Sequence, residues 1–469
     1  MSTYVLDVPS VMITDECFVG HLTIDMLSDD ILVYIFNLFR RESKNADGMW
    51  PWHALVHVCQ RWRHVIFAWP HHLDLQLYCG SGRAVARAQD IWPANLLINI
   101  RIDLDLEYDA STISALEPRN RIAGIDLSGL TKLQLQRCTA VMQEPFPILR
   151  ALFLGCDENV TPVITHTFLG GSAPRLQTIH LCFVPFPTLP KLLLSATELV
   201  KLNLERITRA GYISPDALAT CMSMLKRLEY VSISFQFPNS FPNLTNRHPP
   251  PLTRAVLPAL ETFVFEGLSE YSEDLISRID TPLLSYFSLR FFYQHNFDIP
   301  QVPQFLNRIK NFKPPLKAEI DFFGFTIGAS LVSPGCKFLF QFQCTGLDRQ
   351  LLLLERIYTQ CLPHTSHVNH LKLNREYTSE PRQDTALWLE FLHIFNAVEI
   401  LDVTNNELDV DIAWVLGELT AERAAEVLPM LYTVVFHAQV KPLVTHILRP
   451  FIDARKLSDH PVAVSWMPQ

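Results

Sequence analysis

A recurring leucine frame, L-x-x-L-x-L, runs through most of this 469-residue chain and restricts its fold strongly. Each copy supplies one short strand whose alternate apolar side chains point to the same face, and that face stays unburied until neighbouring copies stack on it. A frame that recurs about every 20 to 30 residues is typical of a leucine-rich solenoid. The repeats are therefore expected to share one continuous core.

Four copies follow the frame closely, and six looser copies extend it toward the C-terminus. The close copies are Leu130, Leu133 and Leu135; Leu149, Leu152 and Leu154; Leu176, Ile179 and Leu181; and Leu199, Leu202 and Leu204. The looser copies are Leu228, Val231 and Ile233; Leu260, Phe263 and Phe265; Leu284, Phe287 and Leu289; Val368, Leu371 and Leu373; Val398, Leu401 and Val403; and Leu431, Val434 and Phe436. Their irregular spacing predicts return segments of different lengths.

Several local patterns predict the elements around these strands. Ser214 before Pro215 is typical of a helix start, and that helix is expected to run to Leu225. A second helix is predicted from Asp384 to Phe395. The alternating apolar residues from Leu96 to Leu106 predict a half-buried strand that begins the solenoid and caps it. The proline-rich segment Pro238–Arg254 is interpreted as a protruding loop, with a substrate-contacting insertion as the alternative.

The N-terminal part has a different, helical period. From Leu27 to Phe39 the apolar residues recur at intervals of three and four, Ser28 is a plausible N-cap, and Asp29 and Asp30 occupy the first turn. A polar loop follows, and a second apolar period runs from Leu55 to Ile66. Two short helices of this size can bury little surface alone, so another molecule or domain is expected to cover their apolar stripe.

The stretch from Leu27 to Leu77 resembles an F-box. The family pattern of a Leu-Pro pair, an acidic residue, Ile-Leu, Ile-Phe and Val-Cys-x-x-Trp-Arg is matched by Leu27, Asp30, Ile31, Leu32, Ile35, Phe36, Val58, Cys59, Trp62 and Arg63, with Ser28 in place of the proline. The resemblance implies docking to a Skp adaptor through Leu27, Ile31, Leu32, Ile35, Phe36, Val58 and Trp62. Cys59 and Trp62 are alternatively part of the F-box core, and an ordinary helical hairpin is the alternative for the whole stretch.

The chain also resembles the irregular F-box solenoids of basidiomycete fungi, most closely from Glu270 to Phe305. The expected fold is α/β, with a small helical F-box followed by a horseshoe-shaped, leucine-rich-repeat-like solenoid. The predicted domains are an N-terminal extension (1–21), the F-box (22–78), a linker and capping strand (79–120), the solenoid (121–445) and a C-terminal cap or tail (446–469).

These resemblances imply a non-enzymatic substrate receptor of a Skp–cullin–F-box ubiquitin ligase, in which the repeats bind a protein substrate. On the concave face of such a solenoid the substrate-facing side chains would be Gln134, Phe153, His180, Asn203, Ser232, Val264, Ser288, Lys372, Asp402 and Val435. This mixed set suits a protein partner, and it equally suits a structural inner face. The alternatives are a repeat scaffold that acts outside a ubiquitin ligase and an enzyme whose site joins residues distant in sequence.

Composition and charge exclude several classes of function for this chain. The formal net charge is −9 and no basic stripe is visible, which argues against a nucleic-acid surface. The chain shows neither a signal peptide nor a long apolar span, so a cytoplasmic or nuclear protein is expected. Cys138, Cys156 and Cys182 at predicted strand ends are interpreted as buried thiols. No phosphate-binding glycine loop, nucleophile elbow or kinase signature occurs, and no cofactor is expected.

One group of residues suggests a metal. Cys361, His364, His367 and His370 offer sulfur and imidazole ligands at three-residue intervals. Their spacing matches no standard zinc module and His370 begins a predicted strand, so a solvated loop is preferred and no metal site is predicted.

Overall fold

The fold is taken from a computed structural model of the chain. It describes residues 24–42, 52–69, 73, 76–103, 110–157, 162–241, 253–293, 298–310, 312–361, 365–375, 385–404, 406–419, 423–437 and 441–467. The chain divides into two compact units: the first comprises Met1–Leu77 and Trp92–Leu97, and the second comprises Tyr78–Ile91 and Ile98–Gln469.

Fourteen α-helices lie in the described part of the chain. They are α1 (Asp29–Glu42), α2 (Trp52–Val56), α3 (Gln60–Ala68), α4 (Gly82–Ile91), α5 (Ala110–Ser114), α6 (Lys132–Val141), α7 (Leu189–Leu193), α8 (Pro215–Met222), α9 (Ser269–Ser277), α10 (Gln301–Leu306), α11 (Leu347–Arg356), α12 (Thr385–Leu392), α13 (Asn406–Gly417) and α14 (Lys441–Leu457). None of the helices described is long and apolar enough to cross a membrane.

Sixteen strands form one large, mostly parallel sheet, and two short strands form a second. The strands are β1 (Gln76–Cys79), β2 (Leu97–Asp103), β3 (Ile122–Leu130), β4 (Ala151–Cys156), β5 (Thr178–Cys182), β6 (Lys201–Ile207), β7 (Tyr230–Phe235), β8 (Ala255–Val256), β9 (Thr262–Gly267), β10 (Ile279–Asp280), β11 (Tyr286–Phe291), β12 (Lys317–Phe322), β13 (Thr326–Ser333), β14 (Cys336–Gln343), β15 (His370–Arg375), β16 (Ile400–Thr404), β17 (Thr433–Phe436) and β18 (Ala463–Trp466). The large sheet has the order β1-β2-β3-β4-β5-β6-β7-β9-β11-β14-β13-β12-β15-β16-β17-β18, and β8 pairs with β10.

The leucine frame sets the register of this sheet. Leu152 of β4 pairs with Ile179 of β5, which is in line with Leu202 of β6 and Val231 of β7. All four side chains are essentially inaccessible to solvent. Fully burying one such side chain contributes roughly 1.5–3 kcal/mol, so the stacked repeats account for much of the stability of the second unit. Nine of the ten predicted copies coincide with a strand.

The copy at Leu130, Leu133 and Leu135 was predicted wrongly. The strand β3 ends at Leu130, and the next residues form α6, on which Leu133 is exposed while Leu135 and Cys138 are buried. Thr131 and Gln134 make a capping box that starts this helix, because each side chain bonds the backbone N–H of the other. The copy that β3 uses lies earlier, with Ile122, Ile125 and Leu127 buried, and Cys138 is a buried helix residue rather than the end of a strand.

The interior changes from leucine to phenylalanine in the middle of the sheet. Phe263 of β9 stacks on Phe287 of β11 with ring centroids 5.7 Å apart, and Phe338 of β14 meets Phe287 edge to face at 6.4 Å. Here the chain inserts an antiparallel unit, in which β13 pairs with both β14 and β12. The insertion fills the gap between the predicted copies at Leu284 and Val368.

The two helices predicted from local patterns both form, within different bounds. Ser214 accepts a hydrogen bond from the N–H of Ala217 at 3.3 Å and Pro215 begins α8, as predicted, although α8 ends at Met222. The helix predicted from Asp384 is α12, and Asp384 itself lies outside the described residues. Within Pro238–Arg254 the structure describes a 3-10 turn at Pro238–Ser240, whereas residues 242–252 lie outside the described part.

The predicted capping strand is β2, with Ile98, Ile100 and Ile102 buried; Leu104 and Leu106 lie outside the described residues. It is the second strand of the sheet and not the edge, because β1 precedes it. At the other end, the predicted tail contributes most of α14 and the edge strand β18. Cys156 is buried and Cys182 half-buried, and no disulfide joins the cysteines in the part of the chain that is described.

The first unit is helical. Its second apolar period is divided between α2 and α3, because Cys59 has extended backbone and its sulfur accepts the N–H of Trp62 at 3.4 Å as an N-cap. Arg63 donates to the carbonyl of Val56 at the end of α2. Three helices therefore form where two were predicted, and this break places Val58 in the turn between α2 and α3.

Candidate functional site

The helix α1 of the first unit has two apolar faces. Leu32 and Phe36 form the inner face and are buried, and Phe36 meets the ring of Trp62 in α3 edge to face at 4.9 Å. Ile31, Tyr34, Ile35 and Leu38 lie on another side of the helix within about 100° of arc, which we call the outer face of α1. Ile31, Tyr34 and Leu38 are exposed to 47, 65 and 41 %.

Polar contacts fix the start of α1. The hydroxyl of Ser28 accepts the N–H of Ile31 at 3.4 Å, so the serine caps the helix where the F-box pattern has proline. Arg61 of α3 donates to the carboxylate of Asp29 at 2.8 Å and to the carbonyl of Leu27. An exposed ion pair of this kind contributes at most about 1 kcal/mol, so its effect is mainly to orient α1 against α3.

The residues predicted to contact a Skp adaptor fall into two groups. Ile31 and Val58 are exposed, and Leu27, Ile35 and Trp62 are half-buried, so these side chains are accessible. Leu32 and Phe36 face the interior of the unit, where their role is to hold α1 in place. Tyr34 and Leu38 of the outer face were not among the predicted contacts, although their i+3 and i+7 spacing from Ile31 indicated them.

In the second unit, the side of the large sheet opposite the buried leucines is its open face. Strand pairing aligns one central row of residues across this face, and nine of the ten predicted substrate-facing residues belong to it. The row is Arg101, Asp126, Phe153, His180, Asn203, Ser232, Val264, Ser288, Leu339, Ser330, Glu319, Lys372, Asp402, Val435 and Ser465.

Gln134 is the exception, and its prediction was wrong. It lies on α6 as part of the capping box, and Asp126 occupies the corresponding position of the row. Leu339, Ser330 and Glu319 were missed because they belong to the antiparallel insertion, which has no leucine frame. The alternation of buried Phe338, Phe340 and Phe342 was the available signal.

Most carboxylates of the open face already have partners on that face. Glu205 lies 3.2 Å from the imidazole of His180 and accepts the amide of Asn203 at 2.8 Å. Elsewhere Asp126 lies 3.6 Å from Arg101 and Glu266 lies 3.7 Å from Arg290. The two arginines offset part of the negative charge that Asp126 and Glu266 would otherwise offer to a ligand.

Strands β12 to β15 carry a basic group of side chains. Lys317 contacts the carboxylate of Glu319 at 2.8 Å. Burial by itself would raise the pKa of Glu319, but the hydrogen bond from Lys317 and the charges of Lys317, Lys372 and Lys337 lower it below its ordinary value. Lys337 and Lys372 make no ion pair with any residue of the described chain.

Two histidines flank Asp402 next to this group. The Nε2 atom of His437 lies 3.0 Å from one oxygen of Asp402, and that of His370 lies 3.8 Å from the other. Burial and the nearby charge of Lys317 lower the pKa of His370, against the opposing effect of Asp402. The histidine is therefore expected to be neutral at pH 7.

The metal ligands considered from the sequence are only partly described. His364 and the side chain of Cys361 lie outside the described residues, His367 belongs to a short 3-10 turn, and His370 faces Asp402. Within the described part of the chain, no three histidine, cysteine or carboxylate side chains are grouped as a metal ion would require.

Comparisons with known proteins do not assign this chain to a family. No protein-family model matches it, and no curated protein is significantly similar. The class that the structure itself defines is an α/β protein with a large, mostly parallel sheet and a separate small helical unit. Two surfaces of this protein are available to partners: the outer face of α1 and the open face of the large sheet.

Proposed function

We propose that this protein is the substrate receptor of a Skp–cullin–F-box ubiquitin ligase, with its first unit as the F-box and the open face of its sheet as the substrate-binding surface. The observation that carries the proposal is the outer face of α1. It is an apolar surface on a helix whose opposite side is already packed by Leu32, Phe36 and Trp62.

An exposed apolar stripe on a small helical unit has a physical cost. Ile31, Tyr34 and Leu38 remain in contact with water although they lie side by side on one helix. Apolar and aromatic anchors of this kind supply most of the binding energy at protein interfaces. A helical adaptor that covered them would remove this surface from water, which fits the pattern that relates residues 27–63 to the F-box.

In the proposed complex, no bond is made or broken on this chain. The first unit would hold the chain on the Skp adaptor, and the open face would hold the substrate. Joining the two binding events raises the effective concentration of a substrate lysine near the ubiquitin-charged enzyme, and chemistry takes place on other subunits.

The test is co-purification with the Skp adaptor from the same organism. Wild type should bind, and the double variant Ile31→Asp with Tyr34→Asp should lose binding by about 100-fold or more, because two charges would be buried against apolar surface. Phe36 is unsuitable for this purpose, since it is buried and a charge there would unfold the unit.

Leu457→Asp is the matched control. Leu457 is an apolar helix residue exposed to 84 %, but it belongs to α14 in the second unit. This variant should bind the adaptor like wild type. If wild type does not bind, or if the outer-face variant binds normally, the ligase assignment is wrong and a repeat scaffold that acts outside a ubiquitin ligase takes its place.

A further inference from the structure

Some charged side chains of the open face have an ion-pair partner on that face, and others do not. On strands β2 to β9 its carboxylates Asp126, Glu205 and Glu266 each have a cationic or imidazole partner on the same face. On strands β12 to β15 Glu319 is held by Lys317, yet Lys337 and Lys372 have no ion-pair partner among the described residues. These strands also carry Asp321 of β12 on the open face, where it accepts the amide of Asn374 at 3.1 Å, so three lysines share this part of the face with two carboxylates.

The register places these lysines around one area. Lys337 and Lys317 both pair with Val332, one from each side of β13, and Lys317 also pairs with His370 of β15. Lys372 follows two residues along β15, opposite Glu319. We call Lys317, Lys337 and Lys372 the lysine triad.

The residues of β13 and β14 that lie between the lysines are uncharged. Ser330 is buried, Val332 and Leu339 are half-buried, and Gly328 has no side chain. The long lysine side chains therefore surround shorter side chains, which leaves room between the lysines for the backbone of an extended peptide. Of the carboxylates on β12, Glu319 contacts Lys317 at 2.8 Å and Asp321 accepts the amide of Asn374 at 3.1 Å.

The spacing of the triad decides which anion it suits. Two strand separations, roughly 10 Å, lie between Lys337 and Lys317, and Lys372 extends the group further. A single phosphate is too small to reach all three, and the triad has no arginine fork for bidentate contact. In an extended peptide, alternate side chains point the same way about 7 Å apart, so several carboxylates can match the lysines together.

We infer that the lysine triad binds an acidic segment of a protein partner, an extended stretch with glutamate or aspartate at alternate positions. This inference rests on the proposed function, because it names the substrate class for the same face. Electrostatic attraction of this type sets orientation and association rate, and salt weakens it.

The experiment measures fluorescence anisotropy of a labelled peptide of alternating Glu and Thr, about twelve residues long so that it spans the triad, with the full chain. A peptide with Gln in place of Glu should bind at least about tenfold more weakly, and added salt should weaken the Glu peptide. The double variant Lys337→Glu with Lys372→Glu should lose about tenfold or more, because both unpaired charges are reversed.

Lys201→Glu is the control, since Lys201 is an exposed lysine on β6 of the same face and far from the triad. It should bind within about twofold of wild type. The inference is overturned if wild type does not bind the Glu peptide, if the Gln peptide binds equally, or if the triad variant binds like wild type. Tighter binding of a singly phosphorylated Ser–Thr peptide than of the Glu peptide would also overturn it.

The two proposals can fail separately. The triad variant should still co-purify with the Skp adaptor, because the lysines lie in the second unit and the outer face of α1 lies in the first. Adaptor binding without peptide binding would reject the acidic-segment inference alone. Peptide binding without adaptor binding would reject the ligase assignment and leave the triad as the binding site of a different assembly.

Discussion

Asp409 on α13 is a buried carboxylate. Its side chain is completely inaccessible to solvent, and neither oxygen accepts a hydrogen bond from any of the described residues. Burial, and then the charge of Asp402, raise the pKa of Asp409 to about 7. In the native state the carboxyl group of Asp409 therefore keeps its proton up to a pH several units above that at which the unfolded chain releases it. Once the carboxylate is charged, its burial lowers the stability of the native state.

The pH dependence of stability follows from that difference. Between the unfolded pKa of 3.8 and the native value of about 7, the native state binds more protons than the unfolded state, so stability falls as the pH rises and then becomes constant. Replacing Asp409 with Leu removes the group. The variant should be more stable than wild type, and its advantage should grow by up to about 4 kcal/mol between pH 4 and pH 8.

Urea unfolding at several pH values measures this effect. Asp453→Leu is the control, because Asp453 is exposed on α14 and should show little pH-dependent difference from wild type. A constant difference between wild type and Asp409→Leu across the pH range would show that Asp409 is solvated or paired in solution.

Among the secondary-structure elements, local turns and helix caps determine which copies of the L-x-x-L-x-L frame form strands. The Leu130–Leu135 copy matches the frame, yet the capping box of Thr131 and Gln134 makes it helical. The antiparallel insertion was not predicted, although Pro334-Gly335 between two alternating apolar runs is a hairpin signal. The leucine frame alone predicts nine strands correctly. It does not predict the strands whose residues do not follow the frame, such as those of the antiparallel insertion.

A substitution at Gly335 tests the conformation of the turn between β13 and β14. Its backbone has φ +89°, a conformation that side chains with a Cβ adopt only under strain, and an added Cβ would contact nothing within 4 Å. Gly335→Ala should therefore destabilise the protein by roughly 1–2 kcal/mol through backbone strain alone, measured by chemical denaturation.

Gly80→Ala provides the comparison. Gly80 is exposed, has no positive φ and would bring its Cβ no closer than 3.8 Å to a neighbour, so this change should be neutral or slightly stabilising. Equal effects of the two substitutions would mean that the hairpin does not need a left-handed residue at position 335.

At the scale of the whole molecule, each strand depends on its immediate neighbours. In the parallel part of the sheet the buried side chains form ladders from strand to strand, so stability is expected to be distributed along the sheet rather than centred on one core. Leu202 of β6 lies between Ile179 and Val231 in such a ladder and is fully buried.

Leu202→Ala should lower the free energy of unfolding by about 2–5 kcal/mol, through lost burial and the cavity that remains. Hydrogen exchange should increase most in β5 to β7 and least in β15 to β17, because the strands are coupled through neighbours. Leu194→Ala, at a residue exposed to 49 %, should change the free energy by less than about 0.5 kcal/mol. A uniform loss of protection from hydrogen exchange across the sheet would contradict this prediction and indicate that the whole sheet unfolds as one cooperative unit.

Local sequence patterns are sufficient to predict the strand-forming frame, nine of the open-face positions between Phe153 and Val435 and the apolar stripe of the first unit, because these depend on local periods of two and 3.6 residues. The tertiary structure was needed to show that Leu32 and Phe36 face inward, that Asp126 takes the position predicted for Gln134, and that the antiparallel insertion β12–β14 completes the sheet. It also brought Lys317, Lys337 and Lys372 together from separate strands. Such outcomes depend on strand pairing between residues far apart in the chain, which no local pattern specifies.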